Sequence, residues 1–310
     1  MNGRSPSGAR SAVSPPAPPG VRTAVVANPS KIARPEALRS LVTAVLADQG
    51  WPAPIWLETT PDDPGGGQAR AAVAAGVGVV LAAGGDGTVR ACVQELAGTD
   101  TALGILPFGT GNLLAGNLGL PAHPRDALAV VLAGRRRRLD VGVLGGRTFV
   151  VMAGVGLDAL MLRDAPEALK RRLGWPAYLW AATKHLCEPP MTLTLRIGEE
   201  RTTTRRARLL LIGNVGRLQA GIPVMPAASP DDGVLDVAVL MPPRRISWVP
   251  LAWALVRRAP APPLLELYRA TRLDVTSTRR HLWELDGEVL GPADSVTATI
   301  RPGALTVCVP

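Results

Sequence analysis

The residues of this chain best suited to chemistry form a turn, Gly84-Gly85-Asp86-Gly87-Thr88. The apolar run from Val77 to Ala83 precedes it, and Val89, Val93 and Leu96 follow at helical spacing. A buried strand therefore breaks here and a helix begins. Three glycines in four positions let the backbone approach a ligand without obstruction by Cβ atoms. Amides of such a turn, at a helix N-terminus, favour an anionic group such as phosphate. Asp86 is out of place in a phosphate cradle unless a divalent cation, or a network positioning one, lies between the charges. From these residues the stretch reads as a phosphate-binding turn; the plainer reading is a glycine-rich strand-to-helix connection.

The elements that must position this turn run in a regular alternation. Thr23 to Ala27 is a short apolar strand ending at Asn28-Pro29-Ser30. Pro35 opens a helix with the apolar face Leu38, Leu41, Val42, Val45 and Leu46. Ile55 to Glu58 is a second strand, followed by Thr59-Thr60 and a Pro/Gly loop, and Gly67 to Ala75 is an alanine-rich helix. Leu103 to Leu106 is a strand closed by Pro107-Phe108-Gly109-Thr110-Gly111-Asn112, with helices from about Leu113 and across Pro124 to Ala133. Four strand-then-helix units imply an α/β domain with a doubly wound, mostly parallel sheet. Such sheets bind ligands at the carboxyl ends of their strands. Asn28, Thr59, Thr60, Gly84 to Thr88 and Gly109 to Asn112 all fall there.

The pattern changes after Arg135-Arg136-Arg137-Arg138. Val141–Val143 and Thr148–Met152 flank Gly145-Gly146, and Met191–Ile197 and Thr202–Ile212 flank Gly198; both are hairpin signals. Val234–Leu240, Leu273–Ser277, Leu282–Leu285, Val296–Ile300 and Ala304–Val309 are strand-like, so this half should be a β-sandwich-like domain. The expected division is a disordered extension over 1–20, the α/β domain over 21–138 and the β-rich domain over 139–310, with the last strand able to return to the first domain. Leu162–Leu186 and Ile246–Arg258 are helical stretches mixing tryptophans with flanking arginines or lysines. They suit either an interfacial position on an anionic bilayer or internal packing with solvated ends.

Composition narrows the partners. The net charge is +9, carried mostly by arginine, which suits nucleotide phosphates or an anionic membrane surface. Aromatic residues make up only 4% and do not interleave with basic ones, which argues against a nucleic-acid stacking platform. Cys92, Cys187 and Cys308 form neither a metal spacing nor a disulfide framework, and His123, His185 and His281 are equally scattered. No run of about eighteen apolar residues exists to cross a membrane, and the first twenty residues lack a secretion-signal core. The expected location is cytoplasmic, peripheral at the inner membrane face. An antiparallel sheet edge leaves room for a homodimer.

Beyond the glycine turn and Pro107 to Asn112, the chain carries Gly154-Val155-Gly156-Leu157-Asp158, Gly213-Asn214, Ser229-Pro230-Asp231-Asp232-Gly233-Val234-Leu235-Asp236 and Asp286-Gly287-Glu288. Together these resemble the diacylglycerol kinase catalytic family, which includes bacterial soluble lipid kinases and sphingosine kinases. The resemblance implies an ATP-dependent lipid kinase with an NAD kinase-like first domain, a lipid-substrate second domain, and ATP and Mg2+ as cofactors. It implies that Asn28, Thr59 or Thr60, Gly84, Gly85, Asp86, Gly87, Thr88, Val89, Arg90 and Thr110, with Asn112 in the same turn, hold ATP. Asp86 would lie near the phosphates and catalytic magnesium, and Glu288 would take the proton of the lipid hydroxyl. Asp232 by its side chain, and Ser229 and Val234 by their carbonyls, would hold a structural magnesium. Without the resemblance, Asp231-Asp232-Gly233 is a turn and Asp286-Gly287-Glu288 a hairpin.

Two departures stand out. Bacterial members usually carry Asn-Glu where this chain has Arg90-Ala91, and the motif at Thr110 runs Gly111-Asn112-Leu113 instead of Ala-Asn-Asp. The alternatives are an NAD kinase-type enzyme, which leaves Asp286-Gly287-Glu288 unexplained, and a non-catalytic lipid or nucleotide sensor.

Overall fold

The computed structural model describes residues 20–156, 159, 189–199, 201–217, 224–241 and 265–310. The N-terminal extension before residue 20, Leu157-Asp158, His185, Cys187 and the stretches at 162–186 and 246–258 lie outside these residues. No helix among the described residues is long and apolar enough to cross a membrane.

The first half alternates strand and helix: β1 (Thr23–Ala27), α1 (Pro35–Asp48), β2 (Ile55–Glu58), α2 (Gly66–Ala74), β3 (Val79–Gly84), α3 (Asp86–Leu96), β4 (Ala102–Pro107), α4 (Leu113–Asn117) and α5 (Pro124–Ala133). The strands are parallel in the order β2-β1-β3-β4. β1, β3 and β4 are buried at every residue because helices cover both sheet faces. On one face Val26, Val80, Ala82 and Ile105 meet Ala69, Ala72, Cys92 and Val93 of α2 and α3. On the other, Val25, Leu81 and Leu106 meet Leu38, Val42, Leu128 and Val131 of α1 and α5. The chain leaves β1 for β2 on one side and returns to β3 on the other, so the order reverses between β1 and β3. A ligand crevice opens at the carboxyl ends of strands beside such a reversal.

The second half continues as β5 (Arg136–Leu144), β6 (Arg147–Phe149), β7 (Met152–Gly156), β8 (Met191–Ile197), β9 (Arg201–Ala207), β10 (Leu209–Gly213), β11 (Leu235–Leu240), β12 (Leu265–Ala270), β13 (Arg272–Leu285) and β14 (Glu288–Cys308). One layer runs β9-β8-β13-β14-β5-β6 and the other β12-β11-β10-β7-β13. Leu193, Leu195, Val275 and Ala298 of the first layer share a core with Val155, Leu210, Ile212, Val237 and Trp283 of the second.

Three strand expectations are corrected. Leu273–Ser277 and Leu282–Leu285 are one strand, β13, which shifts register after Thr276 and passes from β8 to β7. Irregularities of this kind bend a strand, which lets it serve both layers. Val296–Ile300 and Ala304–Val309, all but the last residue, likewise belong to β14, whose Pro302-Gly303 segment loops out of register with β5. Conversely, Thr202–Ile212 breaks at Arg208, because β9 pairs in one layer and β10 in the other. The expected boundary at 138/139 falls inside β5, and Val307 of β14 pairs in parallel with Leu103 of β4.

Candidate active site

The glycine turn is built by close approach. A Cβ on Gly84 would stand 2.5 Å from Thr88 Oγ1, so only a glycine lets Thr88 fold back over the strand end. A Cβ on Gly109 would stand 2.6 Å from Gly85 Cα and 2.8 Å from Asn112 Oδ1, so the turns after β3 and β4 touch backbone to backbone. The N-cap of α3 is Gly85, which has no side chain to cap the helix, and its first-turn amides lie at the exposed Gly87. Amides at such a helix start suit the anion cradle expected from the sequence. Asn28 closes its β1 side: its amide donates to Ala83 O (2.9 Å) and its Nδ2 to Thr88 Oγ1 (3.3 Å).

Asp86 is held by backbone amides of the neighbouring turn. Its Oδ2 accepts the Asn112 amide (2.8 Å) and its Oδ1 the Leu113 amide (2.6 Å), capping α4. Burial raises its carboxyl above the ordinary range while these amides hold it down. The Asp86 carboxylate is thus a clasp between the two turns. Asn112, at φ +46°, completes the clasp by accepting from the Gly109 amide (2.9 Å) and donating to Gly109 O (2.8 Å). Thr110 stands exposed at the tip between them. Thr59 is buried beside Ala27, and its amide donates to Ala27 O (2.9 Å). The Thr60 hydroxyl instead accepts from the Asp63 amide (3.1 Å), and Asp63 accepts from Gly65 and Gly67, folding the loop onto itself.

The helix that starts in the cradle also carries the contact to the second half. On α3, Gln94 accepts from the Thr148 amide (3.0 Å) and hydroxyl (2.9 Å) of β6. One turn nearer the cradle, Arg90 forms an ion pair with Glu288. Val89 is buried in the α2–α3 core. Arg90 and Val89, both expected to hold ATP, therefore direct their side chains elsewhere: Arg90 to the second half, Val89 to the core.

Glu288 follows a two-residue turn in which Asp286 (φ +47°) and Gly287 (φ +85°) are both left-handed and Leu285 pairs with Glu288. Asp-Gly is the pair such a hairpin requires. The turn is pinned from outside. The buried Asp286 carboxylate accepts the amides of Val150 (2.9 Å), Val151 (2.9 Å) and Met152 (2.8 Å). Burial pushes it up to about 6 against those amides and the Arg90 charge. Asn214 ties the same segment, donating to Asp140 O (2.8 Å) and Val150 O (3.2 Å).

Ser229, Asp232 and Val234 lie on the loop before β11, whose contacts use the Ser229 hydroxyl, the Asp232 carboxylate and the Val234 amide, not the two main-chain carbonyls expected as ligands. The Ser229 hydroxyl donates to Asp231 (2.7 Å), which is itself paired with Arg137. Asp232 Oδ1 accepts the Val234 amide (3.2 Å), and Oδ2 is paired with Arg269, which also reaches Asp236 (3.4 Å). No group of three His, Cys, Asp or Glu side chains suited to a metal occurs among the described residues. The loop expected to hold a structural magnesium is ion-paired in this structure. Its anchor is the buried Asp140, which accepts the amides of Gly233 (2.6 Å) and Gly303 (2.7 Å).

Sequence reasoning passed over Asp140, Gln94, Arg147 and Arg269. Asp140, a lone carboxylate inside an apolar strand, offered a signal; the others looked like ordinary surface residues. Cys92 and Cys308 are buried with thiols pushed up to about 12 and about 11, which makes them inert packing groups.

Residues 22–144 match the diacylglycerol kinase catalytic domain, and residues 150–309 the YegS C-terminal NAD kinase beta sandwich-like domain. A probable lipid kinase YegS-like protein of Chromohalobacter salexigens is 40% identical over 178 residues, 56% of this chain and 57% of that relative's length. Another, from Pseudomonas fluorescens, is 33% identical over 241 residues, 77% of this chain and 80% of the relative. A solved structure of a putative diacylglycerol kinase from Bacillus anthracis superposes with a TM-score of 0.79 over 93% of this chain and 95% of that one; at 21% identity it shows a shared fold. With both halves matched in order, the chain belongs to the diacylglycerol kinase catalytic-domain family, with the YegS-type C-terminal domain.

Proposed function

We propose that the chain is a lipid kinase that transfers the γ-phosphoryl group of ATP to a lipid hydroxyl, with Glu288 as general base. One observation carries this reading. Glu288 is a half-exposed carboxylate on a pinned turn, and it pairs with Arg90, whose backbone lies one helical turn, roughly 6 Å along α3, beyond Asp86 at the start of the cradle.

Phosphoryl transfer needs positioning, neutralisation of charge and an acceptor for the hydroxyl proton. Bound ATP supplies the phosphoryl group and its ADP leaving group. The amides of Gly85 to Thr88 hold phosphate oxygens, and Asn28 with Thr88 shapes the β1 side. Glu288 takes the proton as the lipid oxygen attacks. Asp86 acts as a positioning residue, keeping the turns after β3 and β4 in register. The net charge of +9 supports work at an anionic bilayer surface, where a lipid acceptor resides.

The test is phosphorylation of a total lipid extract with labelled ATP, with the product identified by mass spectrometry. Glu288→Gln should reduce turnover about 100- to 10,000-fold while ATP affinity, read by titration, stays unchanged. Parallel loss of ATP binding would remove Glu288 from the role of base. ATP binding by the native chain without any labelled lipid would overturn the kinase reading.

A further inference from the structure

The Glu288 carboxylate lies between two guanidinium groups that differ in their exposure to water. Arg90 pairs with Oε2, and Arg147 Nη1 stands 3.4 Å from Oε1. The Arg90 side chain is 14% exposed and that of Arg147 55%, so solvent screens the second charge far more than the first. Arg90 is held on α3, where Gln94 one turn later is locked to Thr148 of β6. Its position relative to the second half is therefore fixed by backbone elements and not by its own flexible stem.

We propose that Arg90 is a positioning residue that reaches across the seam between the halves and holds the Glu288 carboxylate ionised and directed at the glycine cradle. This rests on Glu288 being the base. The charged groups facing the pair are Arg147 on β6, Asp286 in the turn, and the buried Glu284, whose Oε2 accepts the Gly287 amide (2.9 Å). Burial lowers the Arg90 guanidinium and Asp286 raises it, yet an arginine keeps its charge at any pH an assay can use. A fixed cation beside a carboxylate favours the ionised form, so the base stays available at lower pH. The same contact makes the orientation of Glu288 depend on α3, the helix that also begins the cradle.

The experiment is the pH profile of kcat/KM for lipid phosphorylation in the native chain, Arg90→Met and Arg90→Lys, with ATP affinity measured alongside. Arg90→Met should move the acid limb up by about one pH unit and lower kcat, with ATP affinity unchanged. Arg90→Lys should restore the limb, because it returns the charge. Should Arg90→Met fail to fold, Arg90→Gln drops the charge but keeps a polar stem and carries the same expectation. The limb is also read in Asp286→Asn, where a persisting shift on loss of the Arg90 charge assigns it to Glu288. An unmoved limb, or loss of ATP affinity in step with kcat, overturns the inference. If Glu288→Gln keeps full turnover, the base reading itself has failed, an outcome distinct from an unmoved limb in an enzyme that needs Glu288.

Discussion

Gly109 and Gly87 offer a paired test of how the cradle is built. A Cβ added at Gly109 would lie 2.6 Å from Gly85 Cα and 2.8 Å from Asn112 Oδ1, while one added at Gly87 meets nothing within 4 Å. Ordinary carbon–carbon contact begins near 3.5 Å, so Gly109→Ala must drive the two turns apart by about 1 Å. Neither obstacle can yield easily. Gly85 is backbone, and Asn112 is held by two bonds to Gly109 itself. Overpacking of this kind costs about 1–3 kcal/mol, and parting the turns strains the bonds from Asp86 to the Asn112 and Leu113 amides. Gly109→Ala should therefore lower stability by that amount, by urea unfolding, and weaken ATP binding, by titration. Gly87→Ala relieves the conformational freedom of an exposed helical glycine and should be neutral or stabilising by up to about 0.5–1 kcal/mol. Equal stability losses in the two variants would refute the close-approach account, as would a Gly109→Ala protein with native stability and native ATP affinity.

Asp286→Ala deprives the Val150, Val151 and Met152 amides of their shared acceptor. At about 1–3 kcal/mol for each buried donor left unsatisfied, it should rank among the most destabilising single changes by urea unfolding. Chelation with EDTA should leave the melting temperature unchanged, because Asp232 is already paired with Arg269. Arg269→Met leaves Asp232 facing the buried Asp236 without a cation; it should cost about 1 kcal/mol, the exposed end being screened, and make the melting temperature respond to added magnesium.

The alternation of apolar strands with amphipathic helices, the glycine turn and the Asp-Gly hairpin were legible in the sequence because each obeys a local rule. Period, propensity and positive φ are set within a few residues of one another. Thus Gly84 to Thr88 could be read as a cradle, and Asp286-Gly287 as a turn, before any contact was known. One element was misread for the complementary reason. β13 looked like two strands, since a register shift that carries a strand between layers leaves no local mark.

What only the tertiary structure decided are the partners of the charged side chains. Asp86, expected near magnesium, accepts amides 26 and 27 residues away. Asp286 meets amides 134 to 136 residues away. Arg90, a departure within a phosphate motif, reaches Glu288, and Asp232, expected as a magnesium ligand, meets Arg269. A carboxylate or a guanidinium is satisfied equally well by many partners, so its residue type does not specify which one it finds. That choice follows from the sheet, which sets α3 against β6 and the Asp286 turn against β7, and so brings the glycine turn and Glu288 to one seam.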